Sequence, residues 1–211
     1  LVLSLPAILF MRYSPAEMGL KPYGAREEEQ QSPTVANEGI STAQAYKTPS
    51  FYLLLFVAAF FALSTKFISH IPGYLNSIGQ SSMVGATVAS TVMIGGTAGK
   101  FLVGMLNDKF GLKAGAAVGT LSGVVSMGLL LTENLPLIYI GAFIFGINAA
   151  MVFLQPPLLG KHIFGLKEFS TIYSRIAMAQ SLIGAVSVTL FGFLFDIMQS
   201  FKAVLIIIAL A

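Results

Sequence analysis

Five apolar runs, each about as long as a bilayer is thick, constrain this chain more than any other feature. A hydrocarbon core about 30 Å deep takes roughly 20 helical residues at 1.5 Å each. Runs of that length are Pro49 to His70, Ser82 to Met105, Lys113 to Leu131, Leu135 to Leu158 and Thr171 to Phe195. No water reaches the backbone inside a bilayer, so each run has to satisfy its own hydrogen bonds as a helix. The fold class expected is an all-α, polytopic membrane protein. Leu1 to Met11 reads as the tail of a preceding span, and Phe201 to Ala211 as the first half of a following one. Lacking an initiator Met and a basic-then-apolar leader, the chain is expected to be an internal piece of a longer protein.

Charged residues make up only 10% of the chain and apolar ones 55%, with a mean hydropathy of +0.81. Water-soluble domains carry roughly a quarter of their residues as charges, so the lipid bilayer is the first partner expected. The net charge of +3 is spread over short loops with no basic stripe, which argues against nucleic acid. With no cysteine there is neither a disulfide nor a thiolate metal site. His70 and His162 are expected in loops at opposite faces of the membrane, too far apart to share a metal. The sequence has no G-x-x-x-x-G-K-S/T phosphate cradle and no nucleophile with a base at usable spacing. Neither an enzyme activity nor a cofactor is expected.

Arg12 to Lys47 is the one long polar segment, with Pro15, Pro22, Pro33 and the run Glu27-Glu28-Glu29. Too little apolar surface is available there for folding, so it reads as a mobile loop. The expected organisation is the end of a span at 1–11, a connecting loop at 12–48 and a transmembrane bundle at 49–211 whose last helix is truncated. Arg12, Lys21, Arg26, Lys47, Lys109, Lys113, Lys161 and Lys167 collect on one side of that bundle. The loops expected on the other side, Ile71 to Ser81, Thr132 to Asn134 and Asp196 to Ser200, hold no Lys or Arg. Cationic loops stay on the cytoplasmic side, so the connecting loop and the turn at Asn107 to Gly111 are expected there. The location expected is the cell membrane, plasma or inner, crossed several times.

Ionisable groups inside a bilayer are costly and therefore informative. Lys66, Lys100 and Arg175 fall within spans, whereas every Asp and Glu lies in a loop or at a span end. Cations without an intramembrane carboxylate suit an anionic substrate. Each of the three lies within one or two turns of an expected span end, where its stem can snorkel to the interface. Lys66 stands apart because Ser64, Thr65 and Ser69 surround it with a polar patch. Asn148 and Gln155 in the fourth span, and Gln180 and Ser181 in the fifth, sit deeper and have to bond a neighbouring helix or a polar substrate. Gln180, nearly mid-span with the small Ala179, Ser181 and Gly184 beside it, is the residue most expected to line a cavity. Lys66, Asn148, Gln155 and Gln180 are the substrate-binding set expected. Gly95, Gly96 and Gly99, and the face Gly115, Gly119 and Gly123, read as helix packing within the bundle. Pro156-Pro157 predicts a kink or an early helix end.

Between the second and third runs lies the polar stretch Gly104-Met-Leu-Asn-Asp108-Lys109-Phe-Gly111-Leu-Lys113. Gly104 is expected to let backbone approach closely. Asp108 is expected just before the third helix, where the dipole favours a carboxylate, and Lys109 and Lys113 against lipid phosphate or that carboxylate. The spacing G-x-x-x-D-K/R-x-G-x-K resembles the loop signature of the major facilitator superfamily, secondary transporters built from two six-helix halves. Ser14-Pro-Ala-Glu17-Met-Gly19-Leu-Lys-Pro22-Tyr-Gly24 resembles the start of the loop that links those halves. The resemblance implies a C-terminal six-transmembrane-helix half with inverted three-helix repeats, partnered by the N-terminal half of the same transporter. It also implies that Gly104, Asp108, Lys109, Gly111 and Lys113 form a conformational switch motif, an interhelical charge cluster that holds one state of the cycle. Gly192-x-x-x-Asp196 echoes Gly104-x-x-x-Asp108 at the equivalent span of the second repeat.

Two further stretches resemble the oxalate/formate antiporter and monocarboxylate transporter branch of the superfamily. They are His70-Ile-Pro72-x-Tyr74-Leu before Gly79-x-Ser81, and Ile163-Phe164-Gly165-Leu-Lys167-Glu-Phe-Ser170-Thr-Ile172-Tyr173-Ser174. Members of that branch can place a cation deep in the fifth-span equivalent, and Arg175 departs from this as only the fifth residue of its run. The function implied is secondary active transport of a small solute by alternating access, most naturally a small organic anion such as a mono- or dicarboxylate. The alternative from another class is a polytopic receptor or scaffold without transport activity. Saturable flux with counterflow separates the two.

Overall fold

The computed structural model describes residues 39–210, so the expected span end at 1–11 and residues 12–38 of the connecting loop lie outside the described residues. Among the described residues nine helical segments follow one another. They are α1 (Thr42–Ala45), α2 (Pro49–Thr65), a 3-10 segment (Lys66–His70), α3 (Ile71–Ser77), α4 (Ser82–Phe110), α5 (Leu112–Leu130), α6 (Leu135–Phe164), α7 (Phe169–Met198) and α8 (Phe201–Leu210). Five spans, Pro49–Ser77 and α4 to α7, are long and apolar enough to cross a membrane, which makes this an all-helical polytopic membrane protein among the described residues.

Four of the five spans are longer than their hydropathy suggests, the exception being α5. The first continues through the 3-10 segment to Ser77, so Ile71–Ser77, expected in a loop, is helix. Pro72 in its first turn is compatible with a helix start, and Tyr74 and Leu75 are buried. α4 runs on to Phe110, so the polar stretch from Gly104 to Lys113 is helix on both sides of a single turn residue, Gly111. Its φ of +82° is one that a side chain disfavours. α6 passes Pro156-Pro157 without ending and stops only at Phe164. His70 and His162 are therefore not in loops: one closes the 3-10 segment and the other lies in the last turn of α6.

α6 is the inner helix. It packs against α2, α4, α5 and α7, and 44% of its most apolar window is buried, against 17% for α7. Glycines make this possible. A methyl on Gly95 would collide with the Phe143 carbonyl, and one on Gly146 with the Val92 carbonyl and the Gly96 nitrogen, so α4 and α6 cross backbone to backbone. On the other side Gly115, Gly119 and Gly123 of α5 receive Asn107 with Gln155, Met151 and Asn148. Packing inside the bundle, as expected, uses both glycine faces.

At the end away from Gly111, aromatic rings of Phe67, Tyr74, Phe191 and Phe201 form one buried cluster, and the Tyr74 hydroxyl donates to the Leu130 carbonyl. Lys202 there pairs with Glu133 at 2.7 Å. At the opposite end the last residues of the connecting loop are folded onto the bundle instead of hanging free. Ile40 N–H donates to the Phe164 carbonyl at 3.0 Å, Ala45 is buried, and Ser41 forms a capping box with Gln44. Thr42 donates from its hydroxyl and its N–H to the Glu168 carboxylate, which holds that carboxyl below its ordinary range.

Candidate functional site

The extended first span changes the standing of Lys66. Placed at the junction of α2 and the 3-10 segment, it lies 11 residues before Ser77, about 17 Å of helix rise. Snorkelling needs an interface within reach of a stem of about 6 Å, so the added turns beyond His70 weaken that account for Lys66. Short 3-10 stretches inside a helix frequently mark functional breaks, and this one carries the deepest cation of the first span.

Lys66 opens onto a cavity of about 480 Å³ bounded by the first span, α4, α6 and α7. Thr65, Gln180, Ser181 and Tyr173 supply its other polar groups, and Met93, Val152 and Phe153 much of its apolar wall. Among the described residues no Asp or Glu lines it. The ammonium is thus the only formal charge that the described residues place on the wall. Lys100 reaches the far side: its Nζ lies 5.6 Å from the ring centre of Phe153, within cation–π range. Arg175, six residues into α7, is exposed and does not line the cavity.

Gln180 belongs to the cavity wall but its amide is also committed elsewhere. Nε2 lies 3.3 Å from both the Ala58 and the Val152 carbonyl oxygens. Val152 is four residues before Pro156, which has no N–H to give it. Gln180 therefore supplies the donor that proline withholds, which is how α6 continues through Pro156 in an apolar setting.

Asn148 and Gln155, expected beside Lys66, face the other side of α6. Asn148 donates to the Gly119 carbonyl at 3.0 Å, its Oδ1 is buried without a partner, and the residue lines a smaller cavity of about 130 Å³ that includes Ser64 and Thr120. Gln155 is wholly buried and donates to Asn107 Oδ1 at 3.1 Å. Both point away from Lys66 because Asn148, Met151 and Gln155 share the face that meets the α5 glycines. Asn107 is the residue that sequence reasoning missed. Its signal was present: Gly95, Gly99, Val103 and Asn107 recur every four residues and are all buried.

The motif residues are placed differently from expectation. A methyl on Gly104 meets nothing within 4 Å, so no backbone packs closely there. Asp108 lies in the last turn of α4, at the negative end of a helix dipole and not ahead of α5, because α4 extends past it. Asp108, Lys109 and Lys113 are exposed, and among the described residues none of them forms an ion pair. Lys109 Nζ lies 6.0 Å from the Phe110 ring centre. Gly111 alone performs a defined local task, the turn. Asp108 and Asp196 each lie two residues before the end of their helix, at opposite ends of the bundle.

No protein-family model and no curated protein matches the chain.

Proposed function

We propose that this chain is the C-terminal six-helix half of a major-facilitator-type secondary carrier, moving a small organic anion by alternating access together with an N-terminal half. One observation carries the reading: a lysine well inside the first span is, among the described residues, the sole formal charge on the wall of a roughly mid-span cavity. Lys66 attracts the carboxylate on a wall it shares with Gln180 and Ser181, and the apolar wall of Met93, Val152 and Phe153 accepts the rest of a mono- or dicarboxylate. The turn at Gly111, with Asp108, Lys109 and Lys113 exposed and without an ion pair among the described residues, is available to pair with the other half in one state of the cycle and to release it in the next. The membrane is a plasma or inner membrane, with the Gly111 end cytoplasmic.

Uptake of radiolabelled pyruvate, oxalate and benzoate by cells producing the protein, with counterflow from preloaded cells, tests the reading. Lys66→Gln should raise the half-saturation concentration more than tenfold, since a desolvated charge-assisted contact contributes about 1.5–3 kcal/mol, and Lys66→Arg should recover part of it. No saturable counterflow for any of them in correctly inserted protein points to a receptor or scaffold instead.

A further inference from the structure

Gly184 lies one turn beyond Gln180 on α7, directly beneath the Lys66 stem. A methyl group on it would stand 2.8 Å from Lys66 Cε, 3.8 Å from Nζ and 3.9 Å from Cγ. Carbon atoms pack at about 3.5–4.0 Å, so the stem would have to move. Its three nearest contacts all belong to that one flexible side chain, which can shift without disturbing backbone. The other end of the 3-10 segment is pinned to the same helix: His70 Nε2 donates to the Val188 carbonyl at 3.0 Å, one turn past Gly184. With the backbone of the segment held in this way, the place of the ammonium is set by what occupies position 184.

We infer that Gly184 is a positioning residue for the anion site: the space left by its missing side chain holds the Lys66 stem and so sets where the ammonium stands on the wall it shares with Gln180 and Ser181. This rests on the reading of Lys66 as the anion contact. A side chain at 184 displaces the stem, so the charge leaves the place where an anion in the cavity meets it.

The test is acetylation of lysines by an N-hydroxysuccinimide ester in the purified, detergent-solubilised protein, read by mass spectrometry, with and without pyruvate, oxalate or benzoate. Gly184→Ala is expected to change the labelling rate of Lys66 several-fold, to leave Lys100 and Lys202 unchanged, and to abolish the protection that an anion gives Lys66 in the wild type. Gly192→Ala, two turns further along, adds a methyl that meets only His70 Cε1 at 3.9 Å and is expected to match the wild type. In a Lys66→Ala background, Gly184→Ala is expected to leave the thermal midpoint unchanged, because the stem it displaces is gone. Wild-type labelling and protection in Gly184→Ala would overturn the role of Gly184. So would failure of Gly184→Ala to fold, which would mean that rigid groups and not the stem oppose residue 184. Altered Lys66 labelling with no anion protecting the wild type would uphold the positioning and overturn the anion reading.

Discussion

Gln180→Leu is expected to destabilise the bundle by about 1–2 kcal/mol, and most of that loss is expected to vanish when Pro156 is replaced by Ala. Leu matches Gln closely in volume, so the substitution removes donors without opening a cavity. Two carbonyls lose the Gln180 amide, Ala58 and Val152, each accepting at 3.3 Å. Ala58 lies inside α2 and keeps the N–H of Ala62 as its helical partner, so its loss is small. Val152 has no such reserve, because the residue four positions on is Pro156. An unsatisfied buried carbonyl costs about 1–3 kcal/mol, and the length of the bond and the apolar reference state place the effect toward the lower end, since interhelical bonds in membranes average about 0.6 kcal/mol. Pro156→Ala restores an N–H to Val152, which makes Gln180 redundant there. The coupling in a double-mutant cycle is therefore expected near 1 kcal/mol. Unfolding of the purified protein by sodium dodecyl sulfate in mixed micelles, followed by far-ultraviolet circular dichroism, measures all four corners of the cycle. Equal losses from Gln180→Leu in both backgrounds, within about 0.3 kcal/mol, would refute the compensation argument.

Gln155→Leu leaves Asn107 buried without its partner and should cost about 1–3 kcal/mol, whereas Asn107→Leu with Gln155→Leu should recover most of it; the same unfolding assay decides. The contact between Thr42 and Glu168 should weaken in acid: the Glu168 carboxyl is held below its ordinary value of 4.5, so its contribution is complete above that value and is lost as pH falls through the lower folded one. Proteolytic release of residues 39–48 should accelerate over that window in the wild type, and should be fast and independent of pH across it in Glu168→Gln. Single cysteines at the exposed positions Lys109 and Asn76 should be labelled from opposite sides of the membrane, with Lys109 protected from an impermeant thiol reagent in intact cells. Labelling of Lys109 from outside would invert the proposed orientation.

Hydropathy and length alone were enough to reveal the five spans, because lipid leaves a backbone no partner but its own helix, whatever the neighbours are. The sites of close packing were equally legible, since Gly95, Gly99, Gly115 and Gly119 stand at helical spacing and only glycine admits a crossing backbone or a facing side chain there. Span ends were not. Ile71–Ser77 and Leu106–Phe110 carry polar residues that lower local hydropathy, but backbone bonding continues the helix through them. The grouping of polar residues was also beyond a linear reading. Asn148 and Gln155 are seven residues apart, two turns of one helix, and so share a face, yet which neighbour that face meets depends on how α6 is rotated between α4 and α5. That rotation follows from glycines on three separate helices acting together. The tertiary structure alone thus placed Lys66 with Gln180, sent Gln155 to Asn107, and joined Gln180 to the carbonyl that Pro156 leaves without a donor.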